Sequence, residues 1–599
     1  MTNVLLVYPW FPPSFWGFKK SMELLGLKAT MPPTGLATLA AMLPVEHFRV
    51  LPIIDLNVEP LTNQVIKRAD LVMTTGMIVQ QDSLRQIIAQ VKHHGKTVIV
   101  GGPYATSYRH EVLAMGADSV VLGEAELTLP CFIKDWLKGG VARVYDEQSV
   151  RACSTVALTR EGKPVITGTP IPRWDLLRLR CYSSLPVQFS RGCPFGCDFC
   201  DITTLFGHIS RTKTSSQLIA ELEAIRQTGW RGSIFVVDDN FIGNQREVRE
   251  LLLKLVEWQR RHRYPFSFFT EASMNLANPS LRDIRELMVL AGFQEVFVGI
   301  ESTDPEVIAG MNKSQNRGDL GQKVAILQNA GLEVTAGFII GSDGDQPDVC
   351  ERLFQFIQDN GIVMPMPGLL TALRGTALYR RLVAEGRLRG ESYGNNTHGF
   401  RFNFEPKLDE KALIEGYVRL LECLFSSRNY YERCRTLRQR RGEYHRLDRL
   451  NRHGVLATMR ICYRNLFEHP DQEFVKFVFD TLLESPKEFP EMITQAVKLA
   501  HFQEITKAAV AVHRYPEQVA TLAERFQKRA AELRGDIDKR LRQLAKLERQ
   551  ISAEATRRWQ SIDRDFRAGA QVVLDHFRQH LAECAETYRQ VWQGRTLTH

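Results

Sequence analysis

A chain of 599 residues that is 44% hydrophobic and 24% charged has ordinary globular composition, which excludes collagen-like and wholly disordered chains and suggests about three or four folding units. Lys and Arg number 77 against 68 Asp and Glu, a net charge of +9 that permits an anionic partner without demanding one. Eleven cysteines are too few, and odd in number, for a disulfide scaffold. The opening MTNVLLVYPWFPPSF lacks the basic n-region and cleavage site of a secretory signal, and no run approaches the ~20 apolar residues that cross a bilayer. These features predict a cytoplasmic protein in a reducing compartment, free to rest on a membrane surface.

Residues 1–140 alternate short apolar runs with helical patterns. Val4–Tyr8, Val50–Asp55, Leu71–Thr75, Val98–Gly101 and Ser119–Leu122 read as strands, and Pro33-Thr34-Gly35-Leu36 opens a helix. This order predicts an α/β domain of the doubly wound, Rossmann-like kind, with a parallel sheet whose ligands lie beyond the strands' carboxyl ends. Those ends carry Tyr8-Pro9-Trp10, Gly76, Gly101-Gly102-Pro103 and Gly123-Glu124-Ala125-Glu126. Residues 141–180 read as a small hairpin and a linker, with turn signals at Glu161-Gly162 and Gly168-Thr169-Pro170. Between 181 and 404, strands at Val187–Ser190, Ser233–Val237, Phe266–Thr270, Glu295–Ile300, Glu333–Ile340 and Val363–Leu369 predict a partial (β/α)6 barrel.

Beyond 404 the strand signals stop. Residues 405–500 read as a helical domain and 501–599 as a helical extension, the latter with Val519, Leu522, Phe526, Leu533, Ile537, Leu544, Leu547 and Ile551 mostly in steps of three, four or seven. That stripe is expected to pack on its own chain. The arginines between Arg428 and Arg452 form a basic stretch, read as a solvated face or a contact for anionic lipid, because too few aromatics are interleaved for nucleic-acid stacking.

The strongest chemical signal is Ser190-Arg191-Gly192-Cys193-Pro194-Phe195-Gly196-Cys197-Asp198-Phe199-Cys200 after a strand. Three thiolates on one loop can hold three irons of a [4Fe–4S] cluster and leave the fourth open. The competing reading is a zinc site completed by His208, disfavoured because zinc wants four ligands in paired spacing. Cys131, Cys153, Cys181, Cys350, Cys423, Cys434, Cys462 and Cys584 lack ligand spacing and read as core or surface thiols.

This CxxxCxxC run, with Phe199 before its last cysteine, resembles the signature of the radical S-adenosylmethionine (SAM) superfamily. The resemblance implies that the open iron chelates SAM and that reduction cleaves it to a 5′-deoxyadenosyl radical. It also assigns SAM contacts to Phe199, to Asp238, Asp239 and Asn240 at one strand end, to Glu271 and Ser273 at the next, and to Glu301 and Gly341. An α/β domain ahead of such a barrel resembles the cobalamin-binding class, which would place cobalamin against Gly76, Gly101, Gly102, Pro103, Gly123 and Glu124. The Asp-x-His-x-x-Gly motif that supplies an axial histidine in many cobalamin domains is absent.

Tyr8–Phe18, Gly341–Asp345 and Thr371–Thr376 resemble the subgroup that includes hopanoid C-2 methylases. The implied activity is methylation of an unactivated carbon in a small-molecule or lipid substrate, with a reducing partner such as flavodoxin or ferredoxin. The alternatives are an oxidative cyclase or oxidoreductase, which would give a product without an added methylene, and a non-enzymatic, metal-stabilised helical interaction protein.

Overall fold

The run Val4–Val7 is fully buried, and a strand covered on both faces reads as continuous apolar sequence. It forms the middle of β1 (Thr2–Tyr8). In a computed structural model describing residues 1–151, 155–444 and 452–594, this strand is followed by β2 (Phe48–Val50), β3 (Ile54–Asp55), β4 (Leu71–Thr75), β5 (Thr97–Gly101), β6 (Ser119–Val121) and β7 (Val144–Tyr145). The strands form one parallel sheet in the order β2-β1-β4-β5-β6-β7, with β3 also pairing with β1.

The predicted strand Val50–Asp55 is therefore two short pieces laid along the same neighbour. Counting them as one, the order is 2-1-3-4-5-6, the flavodoxin type of doubly wound sheet rather than the Rossmann order. The order reverses between β1 and β4, so the crevice of the sheet opens at their carboxyl ends. The first residues of the expected linker are part of this sheet, because Val144 and Tyr145 pair with Val120 and Val121. The small hairpin is present, with Leu158 bridged to Pro164.

A second sheet begins at β8 (Ser184–Val187). The pair β9 (Ser190–Arg191) and β10 (Arg211–Thr212) is antiparallel and brackets the cysteine loop. Strands β11 (Gly232–Val236), β12 (Phe266–Glu271), β13 (Phe293–Glu301), β14 (Glu333–Ile340) and β15 (Pro365–Leu369) then join β8 in sequence order, all parallel. Six strands with helices between them make an open barrel, as the alternation predicts. Helix Gln245–Arg261 illustrates the construction: Asn244 accepts from the Glu247 amide at its start, and Val248, Leu251, Leu252 and Leu255 bury one face.

After the barrel come helices Glu410–Leu424, Ser427–Arg440, Arg452–Tyr463 and Gln472–Glu484, and then Phe489–Ala531. Four arginines of the basic stretch do not form a solvated face, whereas Arg428 and Arg452 are exposed. Arg433 is fully buried and donates to Gln358 and to the Leu424 carbonyl; Arg435, Arg438 and Arg441 pair with Asp480, Glu484 and Glu491. Arg446 and Arg449 lie outside the described residues, as does Cys153. Cys131 is disulfide-bonded rather than a free thiol.

The chain divides into two compact units, Met1–His501 and Phe502–His599. The second consists of the later turns of Phe489–Ala531 with helices Ile537–Ser561 and Arg567–Trp592. Its core joins Val519, Leu522 and Phe526 to Leu544, Leu547 and Ile551, and to Leu574 and Phe577. The apolar stripe thus packs within its own chain except at Ile537, which is 43% exposed.

Candidate active site

The cysteine loop is held by carboxylates from the end of β11. Asp238 accepts from the amides of Phe189 and Ser190, at 2.7 and 2.8 Å, and from the Ser190 hydroxyl at 2.7 Å. It is 1% exposed, and burial lifts its pKa to about 7 against the pull of these donors. Its Oδ2 takes two of these donors and its Oδ1 one. Asp238, one of the residues expected at SAM, fastens the strand that leads into the loop. Asp239 accepts from the Gly192 amide at 2.9 Å. Gly192 itself is obligatory: its φ is +91°, and a Cβ there would lie 2.7 Å from the Ile209 carbonyl oxygen.

Cys193, Cys197 and Cys200 are part-exposed free thiols. Burial raises Cys193, and burial with the charges of Asp201, Cys197 and Cys193 lifts Cys200 to about 12. Among the described residues no three His, Cys, Asp or Glu side chains are already gathered as a metal cage, so the three thiols share one loop rather than a preformed cage. Gln315 Nε2 donates to the Cys197 sulfur at 3.4 Å, and Asn240 Nδ2 lies 4.0 Å from that of Cys193. Such N–H groups favour thiolate and tune a cluster. His208, the zinc alternative, is exposed. The donor set fits a three-cysteine iron–sulfur cluster with one open position.

The lumen residues divide into two kinds. Asn240 Oδ1 accepts from the Ser273 amide and hydroxyl, at 3.1 and 3.2 Å, tying two strand ends together. Glu271 accepts no hydrogen bond from the described residues, and burial together with Asp239 and Asp238 raises it to about 7. Glu301 lies at a bulge with a left-handed backbone, φ +64°, a conformation that costs about 1–3 kcal/mol in a non-glycine residue. Its Oε1 is 2.8 Å from Lys313 Nζ, which lies 5.7 Å from the Phe199 ring centre. Burial alone would lower Lys313; Glu301 and the thiols of Cys197 and Cys200 outweigh it and raise the pKa. The amides of Gly341 and Ser342 donate to Asp345, and a Cβ on Gly341 would strike the Phe402 ring.

A segment following β1 reaches the barrel and the helices behind it. Phe15 is fully buried against His398 and Phe425, with centroids 4.4 and 5.3 Å away, and Trp16 meets Phe297 edge-on at 5.3 Å. His501 accepts from the Lys20 amide at Nδ1, and its Nε2 donates to the Phe15 carbonyl at 3.0 Å. Burial pushes His501 down to about 4 and His398 to about 3, so both rings are neutral near pH 7.

Between the first sheet and the barrel lies a cavity of about 310 Å³. Four of the six residues expected at cobalamin line it: Gly102, Pro103, Gly123 and Glu124. Gly76 and Gly101 do not; the Gly76 carbonyl accepts from Tyr104, and Gly101 packs close to the Val121 carbonyl. Gly102 has φ +85°, and a Cβ there would lie 2.0 Å from the Thr75 hydroxyl. Thr34 and Gly35 of the first helical motif also face the cavity.

Glu124 carries a buried, unpartnered Oε1, while its Oε2 takes Arg191 at 2.8 Å and Arg211 at 2.9 Å. Arg191 also forks onto Glu126, at 3.0 and 2.8 Å. A glycine-lined cradle with an orphaned polar atom fits a large amide-bearing cofactor. Among its described lining residues there is no histidine, in keeping with the absent axial-ligand motif. Arg191, Glu126, Lys313 and Gln315 are contributors that motif reading passed over, although Arg191 adjoins the cysteine run and faces both partners.

The chain matches a B12 binding domain over residues 24–133, the radical SAM superfamily over 187–357 and a domain of unknown function, DUF4070, over 376–514. It is 43% identical over 433 residues to an uncharacterised methyltransferase of Synechocystis sp., covering 72% of this chain and 77% of that one. It is 35% identical over 393 residues to hopanoid C-2 methylase of Rhodopseudomonas palustris, covering 64% and 71%. The fold is also that of the radical SAM methyltransferase TsrM from Kitasatospora setae, solved with cobalamin and a [4Fe–4S] cluster: TM-score 0.55, 16% identity, 77% of this chain and 95% of that one. With the two lobes, the cysteine loop and the cradle between them, these matches place the chain in the cobalamin-binding radical SAM methyltransferase family, whose cofactors are a [4Fe–4S] cluster, SAM and cobalamin.

Proposed function

We propose that this enzyme methylates an unactivated carbon of an apolar polycyclic lipid of the hopanoid kind, and that flavodoxin or ferredoxin supplies its electron. The observation behind the substrate class is the set of aromatic rings at the barrel, with Trp16 against Phe297 and Phe402 against Gly341. Relatedness to a hopanoid methylase supports it. An inert C–H bond offers no proton that a side chain can remove, so acid–base residues alone cannot do this work. When bound, the cofactors supply the 5′-deoxyadenosyl radical and the methyl group.

The chain's own residues position and shield. Cys193, Cys197 and Cys200 are assigned as cluster ligands, Asp238 and Asp239 fix their loop, and Gln315 and Asn240 direct N–H groups at the sulfurs. Glu271, a carboxylate that accepts no hydrogen bond from the described residues, is assigned to the SAM amino group, with Phe199, Ser273 and Gly341 around the cofactor. Gly102, Pro103, Gly123 and the free oxygen of Glu124 receive cobalamin. Phe297, Trp16 and Phe402 exclude water from the reacting carbon.

The test is anaerobic turnover with SAM, cobalamin and an unmethylated hopanoid. A product heavier by one methylene, formed together with 5′-deoxyadenosine, is the expected result. 5′-Deoxyadenosine with an unmethylated, dehydrogenated or oxygenated product would overturn it in favour of oxidoreductase chemistry.

Glu271→Gln is expected to weaken SAM binding about tenfold to a hundredfold, the cost of a charge-assisted hydrogen bond. Because Glu271 titrates near 7 in the free protein, wild-type affinity should rise from pH 6 to pH 8 as the carboxylate ionises. The variant should lose that slope. Calorimetry at several pH values checks both.

A further inference from the structure

We infer that Arg211 is a positioning residue through which cobalamin in the cradle tightens the cysteine loop. The inference rests on the assignment of the cavity between the lobes to cobalamin. Arg211 stands directly opposite Arg191 in the antiparallel pair of β9 and β10. The cysteine loop lies between these strands, so the two arginines form its neck. Like charges opposite each other on neighbouring strands repel, and Arg211 is 5% exposed, with little water to screen it. The neck closes because carboxylates neutralise it.

The carboxylates paired with it belong to the first lobe. Glu124 Oε2 accepts from Arg191 at 2.8 Å and from Arg211 at 2.9 Å, and Glu126 takes the other fork of Arg191. Arg211 reaches further. Its Nη1 also donates to the Pro164 carbonyl at 2.6 Å, and its Nη2 to the Phe206 carbonyl at 3.0 Å. Phe206 ends the short helix Ile202–Phe206 that follows Cys200. The next residue, Gly207, accepts from the Cys193 amide at 3.3 Å. A single guanidinium thus touches the first lobe, the hairpin and the segment that closes the loop on its first cysteine.

The same carboxylate belongs to the cradle. Glu124 lines the cavity together with Arg191, Leu205 and Phe206, and its Oε1 is buried without a partner. Such an oxygen costs free energy until a donor reaches it, and the side-chain amides of cobalamin carry donors of the right kind. With Oε1 engaged, both oxygens of Glu124 are held and the carboxylate stays on the arginines, which fixes the neck. Arg211 itself does not line the cavity, so its influence on cobalamin runs through Glu124. Coupling between two binding equilibria is reciprocal, and a loaded cluster must tighten cobalamin by the same factor.

The experiment measures hydroxocobalamin affinity by equilibrium dialysis without oxygen, on the full chain with its cluster and after a chelator has removed the iron. The wild type should bind at least about fivefold more tightly with the cluster, the lower end of ordinary coupling between sites. Bound hydroxocobalamin should in turn slow iron loss to the chelator. Arg211→Met should bring the affinity ratio close to one, and Arg211→Lys, which keeps the charge, should retain part of it. Glu124→Gln, a second route that leaves Arg211 in place, should also bring the ratio close to one while weakening binding in both forms. A ratio of one in the wild type, or the wild-type ratio in Arg211→Met, would overturn the inference. If Glu124→Gln leaves the affinity of the iron-free protein unchanged, the cradle assignment fails and the coupling with it. If it weakens that affinity and preserves the ratio, the coupling alone fails.

Discussion

A Cys197→Ala protein, purified and reconstituted without oxygen, is expected to lose its cluster iron and to form 5′-deoxyadenosine at background level. The loss should exceed about a hundredfold, the upper end of what removing a mere supporting partner costs. The reason is ligand count: the loop offers three sulfurs, and His208, the nearest histidine by sequence, is exposed. Gln315→Leu is the informative companion, because it removes the N–H donor 3.4 Å from the Cys197 sulfur and leaves all three ligands. It should keep its iron and show a lower cluster potential by redox titration, since a lost N–H···S bond destabilises the more negative, reduced state. Zinc without iron in the wild type, or turnover retained by Cys197→Ala, would defeat the assignment.

Arg191→Met is expected to be the most destabilising single change between the lobes. Arg191 holds Glu124 and Glu126, which are 4% and 8% exposed. Removing one partner of a buried ion cluster costs about 3–5 kcal/mol, because the remaining charge has nowhere to go. The lower end applies, since Arg211 still pairs with Glu124. Chemical denaturation measures the loss, and adding Glu126→Gln should recover most of it.

The pH dependence follows from Glu126. Burial would raise its pKa, but Arg191 overcomes this and holds it at about 2, below the ordinary value of 4.5. Its stabilisation is therefore complete above about 4.5 and lost as pH falls toward 2. In Arg191→Met the carboxyl has no cation and its pKa rises, so that acid-side loss should vanish. Because Arg191 also lines the cavity, the variant should retain less cobalamin.

The parts legible in the sequence are those written in short-range pattern. Strand–helix alternation marked both sheets, and the cysteine spacing marked the loop, because periodicity and ligand count act within a dozen residues. What stayed hidden depends on partners far along the chain. Asp238 looks like any strand-end carboxylate until its acceptors meet amides 48 and 49 residues away. Glu124 reads as a cofactor residue until Arg191, 67 positions on, claims one of its oxygens. The arginine run looked solvent-facing because its acids, Asp480, Glu484 and Glu491, arrive on later helices. Val144 and Tyr145 are too few to show a period, and only their pairing with β6 makes them a strand.

The stitch made by Phe15, Trp16 and Lys20 bears on how the protein comes apart. These side chains and amides leave the flavodoxin-type sheet and anchor on Phe297, His398, Phe425 and His501. Module borders drawn by sequence similarity therefore do not coincide with borders of cooperative unfolding. A protease nick in the hairpin near Gly162 should leave both fragments bound to each other through denaturing-free chromatography. Trp16→Ala, which leaves β1 intact, should loosen the packing against Phe297 and let 5′-deoxyadenosine accumulate with less methylated product.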